Sequence, residues 1–303
     1  MKSVRVLAIV TAIATLILIL IGGTVNPTGS SLACPDWPLC YGQVFPKMSG
    51  GILYEHGHRL AASLVLLLTV ALFGLCIRHR KAKKKLMALG GKALVAVLLQ
   101  AALGAFTVIY KLPTAVSTAH LGLSMLFFSL LIYIVFYVRP DRLRQPISES
   151  SIARLHRLAA LRWAVAGFAL MYAQILVGAL VRHTRSGHAC PKSIPLCDGA
   201  WWPSFGSGQM HMFHRYLGVA VLIFFIMFAM RVSKGARVSG RRLARKLSAL
   251  MPLLCVIQVL LGVATVMTGI GLHPVVSHLV LAAIMLAITA MITFDLALIH
   301  RQE

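Results

Sequence analysis

Four histidines of this chain stand where imidazole could ligate a metal. His58 and His120 are 62 residues apart, and His214 and His278 are 64 apart. Each lies near the end of a long apolar stretch. The pairs recur at nearly constant offsets, 156 from His58 to His214 and 158 from His120 to His278. Two imidazoles facing one another across a helix bundle suit a planar iron porphyrin held on both axial faces, for which histidine is a common ligand. Zinc suits the pattern less well, because no third or fourth ligand repeats alongside. The competing reading is four hydrogen-bonded histidines at helix mouths. Ionisable groups in membrane spans usually face the bundle interior and mark function, which favours ligation.

The stretch YEHGHRL places a carboxylate beside one of these histidines. Glu55 is three residues before His58, on the same helical face. The repeat position of Glu55 is His211, so only one half carries the carboxylate. A partly buried carboxylate can accept a proton or stabilise developing positive charge. Its alternative role is an acid favoured by the dipole at a helix N-terminus. Arg59 and Arg215 follow the first histidine of each pair, placed to meet the propionates of a porphyrin or to snorkel at the interface. The other histidines are His56, His183, His188, His211 and His273 on the outer side, and His79, His156 and His300 on the inner side. None receives a ligand role, and most read as solvated loop residues.

Cys34 and Cys40 bracket PDWPL, and Cys190 and Cys197 bracket PKSIPL. Both pairs fall in outer loops, where disulfides are permitted, and a bridge is expected in each half. Neither pair is CxxC, although an exposed short-loop disulfide is open to a redox role. Cys76 and Cys255 lie within spans and read as packing residues.

The elements that must position these residues are membrane helices. Hydrophobic residues make up 59% of the 303 and charged residues 12%, which excludes a soluble globule. A span needs about 20 apolar residues, and eight are expected, at roughly 4–25, 55–77, 93–110, 115–138, 162–182, 210–230, 250–269 and 275–298. The first reads as a retained span, because its apolar core is too long for a signal peptide. Of the 30 Lys and Arg, 23 fall on one side of these spans. Short basic loops face the cytoplasm, which places both termini there. The formal charge of +23 is therefore a topology signal suited to anionic lipid head groups, not a nucleic-acid patch.

The chain also repeats itself. IGGTVNPTGSSLACPDWPLC resembles VGALVRHTRSGHACPKSIPLC, and LLQAALGAFTVIYKLPTAVSTAHLGLSM resembles VIQVLLGVATVMTGIGLHPVVSHLVLAA. Each half has four spans, and an even number leaves the halves parallel, related by an axis along the membrane normal. The expected fold is an all-α integral membrane protein of eight transmembrane helices, built as two parallel-repeat four-helix bundles. Its divisions are an N-terminal half, 1–138, a cytoplasmic linker, 139–161, and a C-terminal half, 162–303. Polar groups at the outer mouths, away from the midplane, argue against a transporter.

Eight spans, duplicated halves, four repeated histidines, outer-loop cysteine pairs and the Glu55/His58 motif together resemble the haem A synthase family, over nearly the whole chain. That resemblance implies an oxidoreductase that converts haem O to haem A for terminal oxidases. One ring methyl would become a formyl group, through two hydroxylations and loss of water from a geminal diol. It implies haem b as cofactor between His214 and His278. Haem O would be substrate in the first half, with His58 and His120 at its iron and Glu55 near the reacting methyl. Both sites would lie toward the outer face of the cell membrane, within reach of membrane lipid. A haem O synthase and an unidentified electron donor are the implied partners, and nucleic acid is not. The rival reading is a di-haem, cytochrome b-type electron carrier, which explains the histidines but not the unmatched carboxylate.

Overall fold

In the computed structural model the described residues are 1–81, 85–139, 150–190 and 194–298. Part of the basic run RHRKAKKK, linker residues 140–149 and His300 lie outside them. Eight helices follow in order: α1 Lys2–Val25, α2 Gly50–Arg78, α3 Leu86–Ile109, α4 Thr114–Tyr137, α5 Ser151–His183, α6 Gly206–Val238, α7 Arg242–Met267 and α8 Leu272–Ala297. All eight are long and apolar enough to cross a membrane. The protein is an all-α, multi-pass membrane protein.

The helices outrun the apolar windows at their basic ends. The fifth starts at Ser151 rather than 162, with the Ser150 hydroxyl accepting from the Ala153 N–H at 3.2 Å as an N-cap. The sixth continues through KGARV, and the seventh begins at Arg242 rather than 250. Lys and Arg are good helix formers, and their stems snorkel, so loss of hydropathy does not end a helix.

Within each half, consecutive helices pack together and the first closes on the fourth: α1–α2–α3–α4, and α5–α6–α7–α8. The halves meet through α4 with α5 and α8, and α1 with α8. Buried positions make up 44% of the apolar window of α4 and 50% of that of α8, against 17–33% elsewhere, so these two helices form the centre. Glycines let backbones approach there, as small residues do in membrane bundles. A Cβ on Gly122 would meet Leu176 Cδ2 at 2.9 Å, and one on Gly23 would meet Leu279 Cδ2 at 3.0 Å.

Polar contacts tie both ends of this seam. At one end Asp295 accepts from Arg139 at 3.3 Å and from the Ala244 N–H at 3.2 Å, while the buried Arg157 donates to the Leu296 carbonyl at 2.8 Å. At the other end, Arg182 donates to the Gly23 carbonyl and the Thr114 hydroxyl to the His183 carbonyl, both at 3.2 Å. The second end carries both cysteine loops, so the chemistry-bearing residues share one face of the molecule.

Candidate functional site

In the second half, His214 on α6 faces His278 on α8, with ring centroids 6.4 Å apart and planes inclined by 73°. They line a cavity of about 580 Å³ that also includes Gln174, His211, Arg215 and Gln258. That lies within the range of small-molecule and cofactor sites, about 300–1,000 Å³. A metal bound by two imidazole nitrogens at about 2.0–2.1 Å separates them by roughly 4 Å, and each ring centre lies about 1 Å further out. The observed separation matches that sum. The His278 Nδ1 lies 3.1 Å from the Gln258 backbone carbonyl. Donation there places the proton on Nδ1 and leaves the Nε2 lone pair for a metal. These residues fit a bis-histidine haem.

The first half carries His58 on α2 and His120 on α4 at the corresponding repeat positions. Each of the four rings rests on a glycine of a neighbouring helix. A Cβ at Gly22 would lie 2.7 Å from His58 Cε1, at Gly178 3.0 Å from His214 Cε1, at Gly262 3.2 Å from His278 Cε1, and at Gly104 3.4 Å from His120 Cε1. The added methyl of alanine would push the ring off axis. Overpacking costs about 1–3 kcal/mol, or roughly 5- to 150-fold in affinity. Gly22→Ala is therefore expected to weaken haem binding in its half most, and Gly104→Ala least, as read by haem titration of the purified protein. Equal losses at both positions would dismiss the contact as the cause.

Glutamines hold the histidine backbones. Gln100 donates to the His120 carbonyl at 2.8 Å, Gln258 to the His278 carbonyl at 2.9 Å, and Gln174 to the His214 carbonyl at 3.1 Å. Gln174 Nε2 also lies 3.2 Å from His214 Nδ1.

Glu55, Arg59 and the first cysteine loop form one buried cluster. Glu55 is 5% exposed. Its Oε1 accepts from Arg59 at 2.6 Å, and its Oε2 accepts from the Cys34 N–H at 3.0 Å. The Arg59 guanidinium also donates to the carbonyls of Asp36 at 2.6 Å, Leu39 at 2.5 Å and Cys34 at 3.3 Å. Arg59 thus clamps the loop with the donors that the sequence offered to propionates. Arg215 turns the same way more loosely, toward the Leu196 carbonyl at 3.1 Å and the Pro195 carbonyl at 3.4 Å. His56 and His211, expected among solvated residues, are 2% and 5% exposed. His56 lies against the loop, its Nε2 2.7 Å from the Val44 carbonyl.

Cys34 is bonded to Cys40, and Cys190 to Cys197. Cross-bridge pairing of Cys40 with Gln43, and of Cys197 with Ala200, tightens each loop in the same way. The imidazole of His56 packs beside the first disulfide, whereas Met212, at its repeat position, packs beside the second. Closing loops this short is worth about 2 kcal/mol. Cys34→Ser is expected to add one titratable thiol under denaturation, from the released Cys40, and to loosen the loop. A thiol count that falls by one would mean that the pair is reduced in the membrane. On the exposed side of this loop, Asp36 accepts from the N–H groups of Gly42 at 2.8 Å and Tyr41 at 2.6 Å. The Gly42 bond foremost holds its carboxyl below the ordinary value of 3.8. That tie is in place above the ordinary carboxylate range and is lost as pH falls through the lowered value.

Comparison with known proteins bears on the chain as a whole. A protein of Bacillus pumilus named heme A synthase is 31% identical over 237 residues, covering 75% of this chain and 73% of its own. One of Alkalihalophilus pseudofirmus with that name is 26% identical over 295 residues, covering 96% and 97%. One of Shewanella oneidensis, also so named, is 26% identical and covers 97% and 96%. The model of the COX15-CtaA family, described as cytochrome oxidase assembly protein, matches residues 5–55 and 48–290. The chain belongs to that family. The COX15-CtaA match takes in all four paired histidines, Glu55 and both disulfides.

Two sets of residues receive no role from the sequence of this COX15-CtaA chain. The glutamines and glycines behind the histidines act across helices, and type and spacing give them no chemistry of their own. Gln100 with Gln258 and Gly104 with Gly262 recur at the same 158-residue offset as His120 and His278, which marks the repeat but not what the side chains touch.

Proposed function

We propose that this chain is a haem A synthase, an oxidoreductase that converts a ring methyl of haem O to the formyl group of haem A. The observation that carries this reading is the match, over almost the whole chain, to relatives named heme A synthase. The paired imidazoles supply what such an enzyme requires. His214 and His278 would hold haem b as resident cofactor, and His58 and His120 would hold the iron of haem O. Bound haem supplies one-electron redox chemistry. The chain itself would grip the macrocycles, sets the tautomer of His278, and holds a disulfide loop beside His58 that Glu55 and Arg59 pin in place.

Glu55 has this role in the first half alone, because its repeat position holds His211. An electron carrier with two equivalent haems has no need of such a difference. The asymmetry therefore favours substrate in the first half and cofactor in the second. The basic helix ends support a topology with both termini in the cytoplasm, which would set the haem sites toward the outer face. A haem O synthase that delivers the substrate and a separate electron donor complete the expected partners.

Expression in cells that accumulate haem O tests the reading. The extracted pigment should shift to the formyl porphyrin. Haem O recovered unchanged, with the protein folded and haem-bound, would favour the di-haem carrier.

A further inference from the structure

Among the described residues, three of the four paired histidines have a glutamine amide on their backbone carbonyl, and the exception is His58. The repeat position of Gln174 is Leu18. Both lie one turn before the glycine that seats the ring, Gly178 or Gly22. The space changes in step. Gly218 leaves room for the amide, since a Cβ there would come within 3.3 Å of Gln174 Nε2, and its repeat position is Ala62. The ring nitrogens follow. In the second half, His278 Nδ1 meets a backbone carbonyl and His214 Nδ1 meets Gln174. In the first half, among the described residues, the Nδ1 atoms of His58 and His120 are buried without a hydrogen-bond partner.

We infer that Gln174, seated against Gly218, is the positioning residue that makes the C-terminal site retain its haem, and that Leu18 and Ala62 leave the N-terminal site able to release one. This rests on the proposed placing of one haem in each half. Ligation through Nε2 puts the ring proton on Nδ1, and an acceptor for that proton orients the ring and strengthens the ligand. The Gln174 amide can meet Nδ1 in either state. It donates through Nε2 to a lone pair, or, after a half-turn of the amide that exchanges its bond to the His214 carbonyl for one to the ring, accepts through Oε1, which has no other hydrogen-bond partner among the described residues. Leucine does neither. A cofactor must stay through many turnovers, whereas a product must leave, and the hydrogen bonds divide along that line.

The test is the rate of haem transfer to excess apomyoglobin, followed by absorbance, from the purified full chain after excess haem b has been added in vitro to load the N-terminal site as well. Gln174→Leu should speed loss from the C-terminal site by about 10- to 100-fold, the usual effect of removing such a partner, and should raise the reduction potential of that haem. Gln174→Glu keeps an acceptor at Nδ1 and should restore slow loss and the lower potential, which a purely packing role would not. The double variant Leu18→Gln with Ala62→Gly should slow release from the N-terminal site. A Gln174→Leu rate equal to wild type overturns the inference. If that variant does not fold, unchanged N-terminal release in the double variant overturns it. His214→Ala separates this from failure of the underlying reading. A slow phase that survives His214→Ala refutes histidine ligation itself, whereas a slow phase lost there but intact in Gln174→Leu refutes only the role of Gln174.

Discussion

Replacing His214 or His278 by alanine is expected to strip the haem from the C-terminal half and abolish the bis-histidine visible spectrum of protein prepared without haem O. The two rings stand 6.4 Å apart across the cavity. Each is seated by its own glycine. The loss should exceed the roughly 10- to 100-fold that removing an outer hydrogen bond costs, because an iron ligand itself is gone. The fold should survive. The inter-half seam runs through Gly122, Gly23 and Asp295, not through the rings. His58→Ala is the matched control. It should leave the C-terminal haem in place and remove the first half's grip on haem O. An unchanged spectrum in both His214→Ala and His278→Ala would place the resident haem elsewhere.

Glu55→Ala should leave that C-terminal haem bound and eliminate the formyl product. The carboxylate joins the backbone of Cys34 to the guanidinium of Arg59, and both charged side chains are nearly buried, 6% and 11% exposed. Removing one partner of a buried ion pair costs about 3–5 kcal/mol. The cost falls on the loop that Glu55 pins beside His58, so the first site loses that loop's anchor as well as the buried carboxylate. Glu55→Gln divides the two roles. The amide oxygen can still accept from the Cys34 N–H, but the negative charge opposite Arg59 is gone. Absorbance of the purified variants and analysis of the extracted porphyrin read both outcomes. Formation of haem A by Glu55→Ala at the wild-type rate would remove Glu55 from the reaction.

Much of this was legible in the sequence, because a membrane writes its constraints along the chain. Spans declare themselves by length and apolarity, and a duplication declares itself by offset, which is how His58, His120, His214 and His278 stand out. The cysteine pairs were legible for a related reason, since each closes a short loop between neighbouring residues. What the chain does not write is direction across space. Glu55 was expected near a reacting methyl, and Arg59 at a propionate or at the interface. The structure adds a loop that both side chains meet, because Glu55 and Arg59 are i,i+4 neighbours and the loop carbonyls lie within reach. His56 looked like a solvated neighbour of His58, but one residue along a helix turns a side chain by about 100°, toward the disulfide. Helix ends at Ser151 and Arg242 were hidden because hydropathy falls where basic residues begin, while helical hydrogen bonding continues. The role of Gln174 was hidden differently, in the comparison of two halves: a glutamine on one side and Leu18 on the other.

The most direct measurement is mass identification of the porphyrins extracted from purified protein, prepared with and without a supply of haem O. The account predicts haem b in both preparations, close to one per chain in the unsupplied one. On supply, a second porphyrin should appear, as haem O or with a formyl in place of its methyl. Haem b filling both halves regardless of supply, with no formyl product, would contradict it.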